Sequence, residues 1–333
     1  MNTIRNALPL PQLHNWLEKH VEGLGPVDAF TAERLPAGQS NPTWLLKNGS
    51  KQWVMRAKPA PVAELLPSAH AIEREVAVLR ALAKTDVPVP RVFALCEDES
   101  IIGVAFYVMD FVQGRIIRDT TLPDQTPTQR RDMHQSALQV MASLHCVDWQ
   151  AGGLSQFGRH EHFFERMIQR WSKQYLASTD QPQAAMESLM AWLPAHIPPD
   201  NPQENNLSIV HGDFRLENLV FDNHQPKVIA VLDWELSTLG HPLADLSYHC
   251  MAWHLPQGIL RGISGVDLIH SGIPSEQEVI ERYCQLTKRQ DEGQIKAHWH
   301  FYLACNLFRL AAILQGIQFR INKGMASHPQ AIE

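Results

Sequence analysis

An α+β chain, with a small antiparallel sheet carrying one helix ahead of a larger and mostly helical region, is the fold class that three observations predict. Asn48-Gly49 separates two apolar runs, the hydrophobic period lengthens over residues 68–84, and helical stripes dominate beyond residue 114. Asn-Gly between apolar runs marks a hairpin, because its residues tolerate the positive φ that tight turns need. It joins Thr43–Leu46 to Gln52–Met55. Over 68–84, Ile72, Val76, Leu79 and Ala83 fall on one helical stripe, and Val87-Pro88-Val89-Pro90 breaks that helix. Val92–Cys96 and Gly103–Met109 read as strands, and the chain leaves the sheet at Gln113-Gly114. Met133, Ala137, Val140, Met141 and Leu144 predict a helix over about 127–147. Further helices are expected over 161–176, 183–193, 275–289 and 292–318. Pro198–Asn206 reads as a loop, and Ile209-Val210, Leu219–Phe221 and Val228–Leu232 as short strands. A hinge near 110–114 divides an N-terminal lobe, 1–112, from a C-terminal lobe, 113–333.

Composition narrows the function classes. Hydrophobic residues make up 44% and charged residues 19%, the balance of a globular protein able to build a core. A formal net charge of -6 and no basic stripe argue against nucleic acid as a partner. No apolar run is long enough to cross a bilayer and the first residues lack signal-peptide character, so a cytoplasmic protein without a membrane partner is expected. The five cysteines are scattered and free of CxxC spacing, which argues against a disulfide framework or a cysteine zinc site. His160-Glu161-His162 lacks the HExxH spacing that sets two ligands on one helical face.

The stretch that carries chemistry is His211-Gly212-Asp213-Phe214-Arg215-Leu216-Glu217-Asn218, followed by Val231-Leu232-Asp233-Trp234. Two strand-like runs joined at Asp222–Pro226 form a hairpin, whose closing ends bring Asn218 and Asp233 side by side. Together they offer the hard oxygens that magnesium takes. Asp213, just before the hairpin, is placed to face an attacking hydroxyl. Each acid taken alone is an ordinary turn residue; the ordered set is not.

This ordered set resembles the aminoglycoside phosphotransferase/choline kinase-like family, relatives of the protein kinases. Their catalytic loop reads H-x-D-x-x-x-x-N, followed by a magnesium-binding aspartate, and His211, Asp213, Asn218 and Asp233 match it in order. Gly240-His241-Pro242-Leu243-Ala244-Asp245-Leu246 is similar to a further family segment. The resemblance implies a bilobal protein-kinase-like fold and ATP with Mg2+ as cofactors. It makes Asp213, Asn218 and Asp233 the catalytic set, with Asn218 and Asp233 on the metal, and gives Asp245 a bracing role. Gly212 stands where protein kinases have the arginine of HRD, and Trp234-Glu235 where they have the Phe-Gly of DFG. Both departures argue against a phosphorylation-gated activation segment.

The N-terminal lobe, by the same resemblance, binds the nucleotide. Glu75 lies on the apolar stripe of its helix, where an ionised carboxylate needs a partner. Kinases supply a strand cation that also reaches the ATP phosphates. Here it is Arg56 or Lys58, two apart on one strand face. Ser40, in the loop Ala37–Thr43, sits where kinases keep their glycine-rich loop and is expected against phosphate, although GxGxxG is absent. Backbone groups at Asp110 and Val112 are expected to meet the adenine.

The resemblance implies a small-molecule hydroxyl as the acceptor. Gly38–Asn41, Arg56–Pro59, Val87–Pro90, Phe106–Met109 and Tyr302–Leu310 look like the phosphotransferase domains that some animal proteins carry fused to acyl-CoA dehydrogenases. That resemblance implies a hydroxyacyl or acyl-CoA-linked acceptor. From residue 255 onward eight Lys/Arg face seven Asp/Glu, not the acidic excess that a polycationic aminoglycoside would want. A choline-type acceptor would want an aromatic cage, for which Trp299, Phe301 and Tyr302 are available. An aminoglycoside or choline-type kinase and an idle nucleotide-binding scaffold are the alternatives. Keeping Asp213, Asn218 and Asp233 together favours an active enzyme.

Overall fold

The computed structural model describes residues 8–22, 24–35, 41–59, 71–201, 203–258 and 260–323. The chain divides into two compact units, Met1–Gln113 with Ala230–Glu235, and Gly114–Ile229 with Leu236–Glu333.

The first unit contains α1 (Leu10–His20), β1 (Phe30–Arg34), β2 (Thr43–Asn48), β3 (Lys51–Ala57), α2 (Ile72–Leu82), β4 (Val92–Cys96) and β5 (Phe106–Asp110). Its strands form one antiparallel sheet in the order β1-β2-β3-β5-β4. Side chains alternate across the sheet. Trp53, Met55 and Ala57 of β3, with Phe106 and Val108 of β5, join Leu13, Leu17 and Val21 in one apolar cluster. Arg56 and Tyr107 are cross-strand partners and fall on the other face. Period-two alternation is therefore what removes Arg56 from the apolar cluster and offers it to α2.

Three local details differ from the sequence reading. Asn48 pairs with Lys51, so the hairpin loop is Gly49-Ser50, with Gly49 at φ 60°. Asn48 stays in the strand because its buried side chain donates to the Pro26 carbonyl at 3.1 Å. On α2, Ile72, Val76 and Leu79 are buried as expected, but Ala83 is the exposed C-terminal cap and Leu82 takes its place in the core. The helix α1 was not anticipated, although Leu13, Leu17 and Val21 recur every fourth residue and are all buried. Of the expected helix over 68–84, residues 68–70 lie outside the described residues.

The second unit contains β6 (Arg115–Ile116), α3 (Pro127–His145), α4 (Phe163–Leu176), α5 (Ala184–Ala195), β7 (Ser208–Val210) and β8 (Leu219–Phe221). After β9 (Val228–Val231), which begins in it, come β10 (Thr238–Gly240), α6 (Leu243–Cys250), α7 (Leu268–Ser271), α8 (Glu276–Thr287) and α9 (Glu292–Asn322). The starts of α3 and α8 are fixed by capping boxes, Thr126 with Gln129 and Ser275 with Glu278. In each box two otherwise orphaned amides find partners. The β8–β9 turn is closed by Asp222, whose side chain accepts the His224 and Gln225 amides at 2.8 and 2.9 Å. β7 pairs with β10, Val210 opposite Thr238. That pairing sets the segment after β7 beside the start of α6, which is how the site below is assembled. Among the described residues no helix is long and apolar enough to cross a membrane.

Candidate active site

The segment 211–218 is held from three sides within the second unit. Its first two amides, His211 N–H and Gly212 N–H, donate to the Asp245 carboxylate at 2.5 and 2.8 Å. Asp245 is 1% exposed and sits in the first turn of α6. Burial works against its charge, but His145 and His211 outweigh that and hold the carboxyl below the ordinary aspartate value. His145 lies with Nε2 3.4 Å from Asp245 and Nδ1 2.8 Å from the Tyr283 hydroxyl. An Nε2–H tautomer satisfies both contacts, donating to Asp245 and accepting from Tyr283. Gly212 has φ 82°, and a Cβ there would meet the Leu236 carbonyl oxygen at 2.8 Å. The arginine of protein kinases therefore has no room at this position.

Asp213 is fixed at both carboxylate oxygens. Oδ1 accepts from the Tyr248 hydroxyl at 2.5 Å, and Oδ2 accepts from Asn218 Nδ2 at 2.9 Å. The same Asn218 nitrogen donates to the Asp213 carbonyl at 2.8 Å. With Nδ2 so committed, Asn218 keeps its Oδ1 as a hard oxygen donor, which suits magnesium.

Arginines line the segment that carries Asp213. Arg215 Nε is 3.4 Å from Asp213 Oδ1, and Arg215 and Arg261 both pair with Glu217. Burial, then the like charges of Arg215 and Arg118, pull Arg261 below the ordinary guanidinium value. The buried Arg309 donates to the Gly212 carbonyl at 2.6 Å, and its guanidinium carbon lies 5.0 Å from the Tyr248 ring centroid and 5.8 Å from that of Trp171.

In the first unit Glu75 is 1% exposed and accepts from three side chains or lies beside them. Tyr107 O–H donates to Oε2 at 2.7 Å, Asn41 Nδ2 donates to Oε1 at 2.8 Å, and Arg56 Nε sits 3.4 Å from Oε2 as an ion pair. Burial pushes the Glu75 carboxyl upward, against the pull of Arg56 and Tyr107. Arg56 is also desolvated, but Glu75, Tyr107, Asp233 and Glu235 outweigh the burial and raise its pKa, so it remains a cation. Its two terminal nitrogens both donate to Asp233 Oδ1 at 3.2 Å. That leaves Asp233 Oδ2 as a second hard oxygen, on a residue at φ 66°. Lys58, the other expected cation, lies beyond the end of β3 and pairs with Glu73. Between the two candidates, Arg56 is the one at Glu75.

Asp110 ends β5, where its N–H donates to the Arg91 carbonyl at 2.9 Å and its carboxylate accepts the Arg91 amide at 3.1 Å. Its amide is thus committed within the sheet, and Val112 follows in the half-buried segment beyond the strand. Ser40 lies outside the described residues. Trp299, Phe301 and Tyr302 are buried, and Phe301 and Tyr302 each pack on Phe164 with centroids 5.4 and 5.5 Å apart. They are core residues rather than a cage.

Tyr248, Arg309, His145 and the pair Arg215–Arg261 were not singled out from sequence. Tyr248 lies three residues after Asp245, hence on the same helix face, and that spacing could have pointed to it. Arg309 is a charge inside the apolar stretch Leu307–Leu310, which signals a buried partner. His145 carries no such signal.

Known proteins share this architecture. Acyl-CoA dehydrogenase family member 10 of Mus musculus is 43% identical over 336 residues, covering 98% of this chain and 30% of its own length. Acyl-CoA dehydrogenase family member 11 of Homo sapiens is 40% identical over 310 residues, covering 92% of this chain and 39% of its own. The chain thus spans well under half of either relative. A Ralstonia eutropha protein provisionally named an aminoglycoside phosphotransferase superposes with a TM-score of 0.85 at 46% identity, over 98% of this chain and 93% of that one. Choline kinase from Cryptosporidium parvum superposes with a TM-score of 0.68 at 12% identity, over 94% and 96%, a likeness of fold alone. The fold is that of the protein-kinase-like phosphotransferases, α+β with an antiparallel sheet and a helical remainder. The model of the phosphotransferase enzyme family matches residues 31–276, most of the chain, and this protein belongs to that family.

Proposed function

We propose that this protein transfers the γ-phosphoryl group of ATP, with magnesium, to a hydroxyl of a small anionic acceptor of the hydroxyacyl or acyl-CoA type. The observation that carries the reading is Arg215 against the Asp213 carboxylate, with Arg261 joined to it through Glu217 and under the like charges of Arg215 and Arg118. A local excess of guanidinium attracts carboxylate or phosphate groups and repels a polycation. The names of the long relatives, acyl-CoA dehydrogenase family members 10 and 11, support the same direction.

In this mechanism Asp213 orients the acceptor hydroxyl and takes its proton as the new oxygen–phosphorus bond forms and the bond to the β-phosphate oxygen breaks, releasing ADP. Asn218 and Asp233 are the residues that would hold magnesium. When bound, the ion neutralises charge on the phosphate oxygens. Arg56, held as a cation by Glu75, contacts phosphate, a role in which the sequence also put Lys58 and Ser40. With the Asp110 amide committed to Arg91, adenine recognition falls to the Asp110 carbonyl and the Val112 backbone.

An ATP-consumption screen tests the proposal, using hydroxyacyl-CoAs, amino alcohols, sugars and aminoglycosides, with Asp213→Ala as the blank. Magnesium-dependent turnover with hydroxyacyl-CoAs is the expected result. Turnover confined to aminoglycosides or choline-type amines overturns the acceptor class, and no turnover with any acceptor overturns the enzyme in favour of a nucleotide-binding scaffold.

Glu75 supplies a second expectation. Glu75→Ala removes the carboxylate beside Arg56 and leaves the Tyr107 hydroxyl without its partner in the core. Losing one member of a buried charged set costs about 3–5 kcal/mol. Part of that appears as a higher KM for ATP or a lower kcat, because Arg56 is no longer held. Kinetics equal to wild type would separate Glu75 from nucleotide binding.

A further inference from the structure

We infer that Tyr248 is a positioning residue for Asp213, held in place by Arg309; the inference rests on Asp213 having the role proposed above. One face of α6 fixes three successive residues of the segment after β7. Asp245 takes the amides of His211 and Gly212, and Tyr248, three residues further along the helix, takes the side chain of Asp213. A residue three along an α-helix projects from the same face, so the two contacts act as one brace.

The Tyr248–Asp213 bond is 2.5 Å, in the range of an O–H donor on an ionised carboxylate. With Asn218 on Oδ2, rotation of the carboxylate about its Cβ–Cγ bond is blocked from both sides. Burial, then the Asp213 carboxylate, push the Tyr248 phenol well above its ordinary value, so it remains a donor throughout neutral pH. The ring is held in turn. Arg309, from α9, lies against it at 5.0 Å while donating to the Gly212 carbonyl at 2.6 Å. A buried guanidinium over an aromatic face is attracted to it. Arg309 therefore ties α9 to both the brace and the backbone it supports. The geometry lets a hydroxyl approach a carboxylate whose plane is already set, which is where orientation contributes to rate.

Two measurements test the inference. The first is a double-mutant cycle of Tyr248→Phe and Asp213→Asn, with hydroxybutyryl-CoA as the acceptor probe. Tyr248→Phe is expected to lower kcat on the order of 10–100-fold while leaving KM for ATP within about twofold. In the Asp213→Asn background the same change is expected to lower the residual rate by less than about twofold, since the group it positions is gone. Equal losses in both backgrounds would show a merely structural tyrosine. The second measurement is independent of activity. The chain has five tyrosines, so protein labelled with 3-fluorotyrosine gives a simple fluorine spectrum in which Tyr248→Phe identifies one signal. That signal is expected to move on Asp213→Asn and on Arg309→Gln. A signal unmoved by Asp213→Asn overturns the contact. Absence of turnover in wild type sinks the proposed function instead, while the fluorine spectrum still decides the contact.

Discussion

Asp213→Asn is expected to lower turnover on the order of 10²–10⁴-fold and to leave ATP binding in place, as when a positioned base is removed from a site that works mainly by orientation and electrostatics. The asparagine keeps one oxygen for the Tyr248 hydroxyl, so the brace on α6 survives, while its NH2 replaces the oxygen that accepts from Asn218; a thermal melt beside the kinetics separates lost chemistry from lost folding. Asp233→Ala behaves differently. It removes a hard oxygen and leaves Arg56 without the carboxylate that takes both its terminal nitrogens. Magnesium-dependent nucleotide binding is therefore expected to weaken along with turnover. Calorimetric titration with ATP, with and without magnesium, separates the two. Equal loss of ATP affinity in both variants would remove this division of labour. Full activity in Asp213→Asn, with any acceptor, would take Asp213 out of the chemistry.

The parts of this molecule legible in its sequence are those written at short range. Glu75 announced itself by standing on the stripe of Ile72 and Leu79, and the structure gives it a cation. The turn at Asp222–Pro226 was visible because an aspartate that accepts its own following amides is a local device. The choice between Arg56 and Lys58 was not legible, since residues two apart share a face while the strand lasts. It was made by β3 ending at Ala57 and by the register that sets Arg56 opposite Tyr107. Tyr248 and Arg309 reach the segment after β7 across 35 and 97 residues of chain. No periodicity encodes contacts of that span; they follow from the pairing of β7 with β10 and from how α6 and α9 pack. The aromatic run Trp299–Tyr302 shows the converse. Its composition allowed a cage, but Trp299, Phe301 and Tyr302 are all buried, the last two against Phe164, which makes them core.

Asp245→Asn is expected to be the most damaging conservative change to the fold around the site. The carboxylate accepts two backbone amides, at 2.5 and 2.8 Å, and faces His145 Nε2 at 3.4 Å. An asparagine offers one oxygen and turns an NH2 donor toward a group that is itself a donor. One amide or His145 is then left without an acceptor where no water reaches, since Asp245 is 1% exposed. An unsatisfied buried donor costs about 1–3 kcal/mol, and the lost charge on its hydrogen bonds adds to that. The sum, on the order of 3 kcal/mol, is expected to lower Tm by roughly 4 °C in a protein of this size. The sign of its pH dependence is set by the depressed carboxyl. A folded-state pKa below the unfolded value makes the contribution fully present above the ordinary aspartate pKa and lost only as pH falls beneath it. The wild-type advantage over Asp245→Asn therefore persists throughout neutral pH and shrinks in strong acid. Hydrogen exchange gives the local readout. The amides of His211 and Gly212 are expected to exchange faster in Asp245→Asn, and kcat to fall with them because Asp213 is the next residue. Wild-type protection at both amides would show that Asp245 is not what holds the segment.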